Sequence, residues 1–183
     1  MTAGRKQPGA HQDLLETLRL AQRFGVLGAR PVEQAVAHAR AFTRALEPVT
    51  GRVFDLGSGG GLPGLVVAVD RPDLQLLLVD RRQKRTDLLE RSVVRLGLEG
   101  RVTVLCGDAA QLSGHYPDGF DGVTARGFGP PDVTLRLAES LRAPTGRIVI
   151  SEPPTGDRWS PALLASLGLR VERLGPVAIF TRQ

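Results

Sequence analysis

The chain has 183 residues, with 24 lysines and arginines against 19 aspartates and glutamates and a net charge of +5. That length is enough for one domain to bury roughly 70% of its unfolded surface without staples; the one cysteine, Cys106, cannot close an intramolecular disulfide, and His11, His38 and His115 lack metal-ligand spacing, so no metal is expected and the pattern is that of a cytoplasmic protein. The basic balance draws the chain toward polyanions, and with aromatics at only 4% the expected contact is arginine to phosphate rather than base stacking.

Met1 to Gln12 are polar and read as a flexible tail over residues 1–12. No apolar run reaches the ~20 residues of a membrane span. Residues 13 to 27 place Leu14, Leu15, Leu18 and Ala21 at helical spacing, ending near Gly25 and Gly28. A second helix follows from Val32 to Leu46, opened by Pro31 and stopped before Pro48. These two make a short helical prefix over residues 13–50.

From Arg52 the texture changes to short apolar runs alternating with helical ones, the pattern of a parallel sheet with helices on both faces. Strands are expected at Val53–Leu56, Leu74–Val79, Val102–Leu105, Asp121–Ala125 and Arg147–Ser151. Helices are expected at Pro63–Val69, Arg82–Leu96, Asp132–Arg142 and Trp159–Leu167. Leu169–Leu174 and Val177–Arg182 are separated only by Gly175-Pro176, which leaves no room for a crossover, so this terminal strand pair must be antiparallel. An α/β sheet of this kind, Rossmann-like with an antiparallel end, is the architecture of the class I methyltransferases that use S-adenosylmethionine (SAM).

The segment from Val53 to Gly64 carries the chemistry. A strand delivers Asp55 to its C-terminal edge, and Gly57, Ser58, Gly59, Gly60, Gly61 and Leu62 follow as a loop stripped of side chains where a ligand must lie close. Read literally, Gly59-x-Gly61-x-x-Gly64 also satisfies the dinucleotide fingerprint. A pyrophosphate would sit poorly beside the Asp55 carboxylate, whereas the sulfonium and amino group of SAM are cations that a carboxylate favours. A glycine turn with no ligand is the third alternative. Asp80 closes the second strand, where it can accept from both ribose hydroxyls or cap the next helix. Asp108, followed by Ala109, closes the third, where it can receive the adenine amino group or serve as a turn residue.

Asp55-Leu-Gly-Ser-Gly-Gly-Gly-Leu-Pro-Gly64, then Leu78-Val-Asp-Arg-Arg-Gln-Lys-Arg85, then Phe120-Asp-Gly-Val-Thr-Ala-Arg126 resemble the RsmG (GidB) family of bacterial methyltransferases, which modify guanine N7 in small-subunit ribosomal RNA. The resemblance covers roughly residues 52 to 142. It implies SAM as cofactor, one methyltransferase domain over residues 13–183 with a SAM-binding core at 51–183, and RNA of the small ribosomal subunit as partner through a basic surface. It also implies that Arg126 lies beside the methyl group and the target base as the catalytic residue. No Asn/Asp-Pro-Pro-aromatic element follows the fourth strand, and N7 needs none: its lone pair lies in the ring plane and carries no proton.

The chain departs from the family on the substrate side. Ser151-Glu152-Pro153-Pro154 stands where a Lys-Gly element is usual, exchanging a positive for a negative charge, and Asp108-Ala109-Ala110 replaces Arg-Ala-Glu. His38 keeps the place of a family histidine, but Ala41-Phe42 replaces Asp-Ser and the Asn-Leu-Thr segment is missing. These changes leave open a methyltransferase of a small molecule or protein, or a noncatalytic SAM-binding module. Arg81, Arg82, Lys84, Arg85, Arg91, Arg95 and Arg101 form a basic segment that reads either as a solvated helix face or as an RNA-docking face.

Overall fold

A computed structural model of the chain describes residues 9–153 and 158–183. The tail expected over residues 1–12 lies outside them up to residue 8. Helix α1 then runs over Ala10–Arg23, three residues earlier than its apolar periodicity suggested. Asp13 sits in its first turn and Arg23 in its last, charges that oppose the helix dipole at each end. Helix α2 follows over Val32–Ala45.

The rest alternates as the sequence implies: β1 Arg52–Leu56, α3 Gly64–Asp70, β2 Gln75–Asp80, α4 Gln83–Arg95, β3 Val102–Cys106, α5 Ala109–Leu112, β4 Phe120–Ala125, α6 Pro131–Leu141, β5 Arg142–Ser151, α7 Pro161–Leu167, β6 Leu169–Leu174 and β7 Val177–Arg182. The strands make one seven-stranded sheet in the order β3-β2-β1-β4-β5-β7-β6. The first five are mutually parallel, and β7 runs antiparallel to both β5 and β6.

Each parallel strand is apolar on both faces, as a sheet covered by helices on both sides requires. On β2, Leu76 and Leu78 join one core while Leu77 and Val79 join the other. On β7, Val177 and Ile179 separate from Ala178 and Phe180 in the same way. The first core is closed by α1 to α4, so the prefix packs with α3 and α4 on one face of the sheet; the second is closed by α5, α6 and α7.

Three expectations are corrected. The helix expected to reach Arg142 stops at Leu141, and β5 begins at Arg142 rather than at Arg147. The pairing of β5 with β4 shifts register between Phe120↔Arg142 and Gly122↔Arg147, and the Arg142 guanidinium fills the irregularity by donating to the carbonyls of Ala143, Pro144 and Gly146. Pro144 and Gly146 read locally as a turn; the buried arginine makes them part of a strand. Trp159 lies outside α7, because Ser160 takes the cap position and Pro161 the first helical turn. The short α5 and the 3-10 turn Ser113–His115 are too brief to leave a periodic signal.

Candidate cofactor and substrate cavities

The sheet reverses its winding between β1 and β4, which opens a crevice beyond the C-terminal ends of the parallel strands. The loops that leave β1, β2, β3 and β4 converge there. After β1 the chain turns through the glycine loop, held by Ser58 N donating to Val79 O at 2.9 Å and Gly61 N to Ser58 O at 2.8 Å. Gly57 has a left-handed φ of +65°, and a Cβ there would stand 2.7 Å from the Phe128 ring, so the residue must lack a side chain for both reasons.

Two adjoining hollows share Gly57, Arg85 and Gly127. One, about 240 Å³, is lined by Gly57, Ser58, Gly59, Gly60, Leu62 and Arg126, and is closed by Gln22, Leu27 and Arg30 from the helical prefix. The other, about 380 Å³, is lined by Asp80, Asp108 and Ala109, with Phe128 at its edge. Nine of the eleven candidate residues thus line one or both hollows, Gly57 bordering both and Arg126 the first alone; Asp55 and Gly61 line neither.

Asp55 lies beneath the loop rather than in it. Its carboxylate is fully buried, accepts from Thr124 Oγ1 at 2.6 Å, and turns Oδ2 toward Gly64, where that oxygen finds no hydrogen-bond donor. Burial pushes its carboxyl pKa up, partly offset by the hydroxyl of Thr124 and by the positive charge of Arg126. A Cβ at Gly64 would come within 2.6 Å of Asp55 Oδ2, so the last glycine of the loop makes room for this carboxylate and not for a ligand. Gly61 faces Leu65 and Leu89 in the core.

Asp80 ends β2 with its side chain almost fully enclosed. Its Oδ2 accepts from Gly59 N at 3.0 Å and Arg85 Nη1 at 3.3 Å, and its Oδ1 accepts from Arg82 N at 3.0 Å. A carboxylate offers about four acceptor positions, so Oδ1 retains one for a ligand hydroxyl. Asp108 is exposed and caps α5 by accepting from Ala110 N at 2.9 Å. Asp80 thus offers an acceptor for a ligand hydroxyl at one hollow, and the glycine loop gives the other a wall free of side chains.

Across Arg126 lies a larger cavity of about 890 Å³, lined by Arg30, His38, Arg126, Phe128, Glu152, Arg158 and Arg173 among others. Arg126 therefore faces both sides. Burial and the charge of Arg30 push its pKa down, while Asp55 beneath pulls it up. Burial and the same two arginines lower the pKa of His38, which favours the neutral ring.

Glu152 does not present the negative charge expected from its place in the sequence. Its side chain is 4% exposed and is gathered by Trp159 Nε1 at 2.8 Å, Arg158 Nε at 3.2 Å and Arg173 Nη2 at 3.7 Å. The wall of the cavity carries more guanidinium than carboxylate.

Sequence reading missed Phe128 and saw Arg30 only as one of the basic residues of the helical prefix, since neither belongs to a recognisable motif. Arg85 was counted with the basic helix face but is paired with Asp80 at the rim of the site. Arg95 pairs with Glu16, and Arg101 donates to the carbonyls of Ala68 and Arg71, which leaves Arg81, Arg82, Lys84 and Arg91 as the solvent-facing cations of that segment. No helix among the described residues is long and apolar enough to cross a membrane.

A family model described as GidB, rRNA small subunit methyltransferase G, matches residues 28–152. The chain is similar to the ribosomal RNA small subunit methyltransferase G of Salinispora tropica, at 42% identity over 106 residues that make up 56% of this chain and 44% of that protein. It thus spans less than half the length of that relative. Among solved structures it resembles a SAM-dependent methyltransferase from Thiobacillus denitrificans in complex with S-adenosyl-L-homocysteine, at 26% identity and a TM-score of 0.58, covering 75% of this chain and 65% of that one. Cofactor-bound Rv0187 from MTB shares the fold at 18% identity and a TM-score of 0.66, over 93% of this chain and 89% of that chain. The fold is that of the class I SAM-dependent methyltransferases.

Proposed function

Because the chain belongs to the GidB family, rRNA small subunit methyltransferase G, we propose that it transfers a methyl group from SAM to guanine N7 in RNA of the small ribosomal subunit. The observation that carries this reading is the meeting of four strand ends at one crevice. The glycine loop, Asp80 with Asp108, and Arg126 line hollows that open onto a separate, arginine-rich cavity. Such an enzyme would act in the cytoplasm, where ribosomal RNA is made and assembled.

SAM, when bound, supplies an electrophilic methyl on a sulfonium. Asp80 would accept from the ribose through the free position on Oδ1, with Asp108 and Ala109 at the adenine. Gly57, Ser58, Gly59, Gly60 and Leu62 would border the methionine half, and Asp55 would favour its cationic groups through space from under the loop. Arg126 would hold the target nucleotide at the neck, by its phosphate or its guanine O6. An attacking N7 lone pair needs no proton removed, so positioning and a fixed positive field are sufficient. The solvent-facing cations Arg81, Arg82, Lys84 and Arg91 would contact the RNA backbone.

Labelled methyl from SAM should enter naked small-subunit RNA or the assembled small subunit, and mass spectrometry of the digested RNA should find 7-methylguanosine. Absence of label from both would overturn the reading. Asp80→Ala is expected to weaken binding of S-adenosylhomocysteine by at least ~1.5 kcal/mol, about tenfold, because hydrogen bonds to a charged acceptor are lost. Unchanged affinity by calorimetry would remove Asp80 from the site.

A further inference from the structure

We infer that Arg30 and Arg126 together bind a single oxyanion at the neck between the glycine-loop hollow and the larger cavity. The inference rests on the methyl-transfer reading and names what that site grips. Arg126 follows the end of β4, and Arg30 lies on the connection before α2. Both line both spaces.

Elsewhere in the molecule arginines find carboxylates: Arg40 with Asp70, Arg71 with Asp73, Arg85 with Asp80, Arg95 with Glu16 and Arg142 with Glu139. Among the described residues neither Arg30 nor Arg126 has a side-chain hydrogen bond or an ion pair. The nearest negative charge that Arg126 feels is Asp55, sealed under the loop, and the Glu152 carboxylate in the same cavity is already engaged. Two guanidinium groups therefore border the same neck with unspent donors, near enough for the charge of one to act on the other.

An anion with two oxygens resolves both conditions. It accepts from the planar forks and cancels the repulsion, and guanidinium matches carboxylate and phosphate alike. A methyl-transfer site brings two such groups to this place: the carboxylate on the methionine half of SAM, and a phosphodiester flanking the target nucleotide.

The test uses the full chain and Arg30→Ala, a change at an exposed loop residue that should leave the thermal melt in place. Calorimetry with S-adenosylhomocysteine and with methylthioadenosine, which lacks the carboxylate, is set beside salt-dependent binding of transcribed small-subunit RNA. If the anion is the carboxylate, Arg30→Ala weakens S-adenosylhomocysteine at least tenfold and leaves methylthioadenosine unchanged. If it is the phosphodiester, RNA affinity falls at least tenfold and the salt slope shrinks by about one. In either case Arg30→Ala and Arg126→Ala combine less than additively, as residues sharing one partner must. Arg30→Ala binding both ligands like the wild type, or strict additivity, overturns the inference while leaving the methyl-transfer reading intact. A wild-type chain that binds neither ligand overturns both.

Discussion

Arg126→Ala is expected to lower kcat/KM for methyl transfer by about 10²–10³-fold, the range seen when one preorganised charge or donor is removed from a reacting centre. Arg126 is half-buried where β4 ends, and its guanidinium borders both the glycine-loop hollow and the larger cavity. Burial and Arg30 strain its charged state, and Asp55 helps to hold it. In such a partly dry neck a positive charge acts more strongly than it would in water. Arg126→Lys keeps the charge but loses the planar fork, so partial recovery is expected if two oxygens are gripped and near-full recovery if charge alone matters. Single-turnover transfer to small-subunit RNA is the measurement, and a wild-type rate in Arg126→Ala would remove this residue from the site.

Arg142→Met is expected to destabilise the fold by about 3–5 kcal/mol, the cost of breaking a buried pair by removing one partner. The Arg142 side chain is 1% exposed. It donates to both oxygens of Glu139, at 2.7 and 2.8 Å, and to the carbonyls of Ala143 at 2.8 Å, Pro144 at 2.8 Å and Gly146 at 3.1 Å. Methionine fills similar space and satisfies none of these acceptors. Arg182, 3.5 Å from Glu139, would recover only part of the loss. Against a typical total of about 5–15 kcal/mol, the shift should be plain in urea unfolding. A change under about 1 kcal/mol would mean that water reaches the network.

Local chemistry explains what could be read before folding. Continuous apolar runs such as Leu76–Val79 can be buried only on both faces of a sheet, and Gly175-Pro176 can join only antiparallel neighbours, so strand identity and direction followed from composition and spacing alone. The glycine loop, Asp80, Asp108 and Arg126 each follow a strand end, which is why they could be placed in one crevice before any coordinate was known. Arg142 defeated the same reasoning because its partners are main-chain carbonyls four residues or fewer away, in a shape that no propensity encodes.

Which way each side chain turns was decided only by packing. Asp55 and Asp80 lie near the C-terminal ends of neighbouring strands, Asp55 level with Leu78 and so two residues short of Asp80; Gly64 and Thr124 keep the first beneath the loop, while the amides of Gly59 and Arg82 hold the second at the pocket. Glu152 looked like a reversed charge and became the buried anchor of two arginines and a tryptophan. Arg30, ninety-six residues from Arg126 in the chain, meets it only because α1 and α2 close one face of the sheet. Sequence carries the periodicity and the backbone freedom of each segment, and these determine the elements. Charges are matched or left waiting by whatever the folded chain brings within a few ångströms, and that is a property of tertiary structure alone.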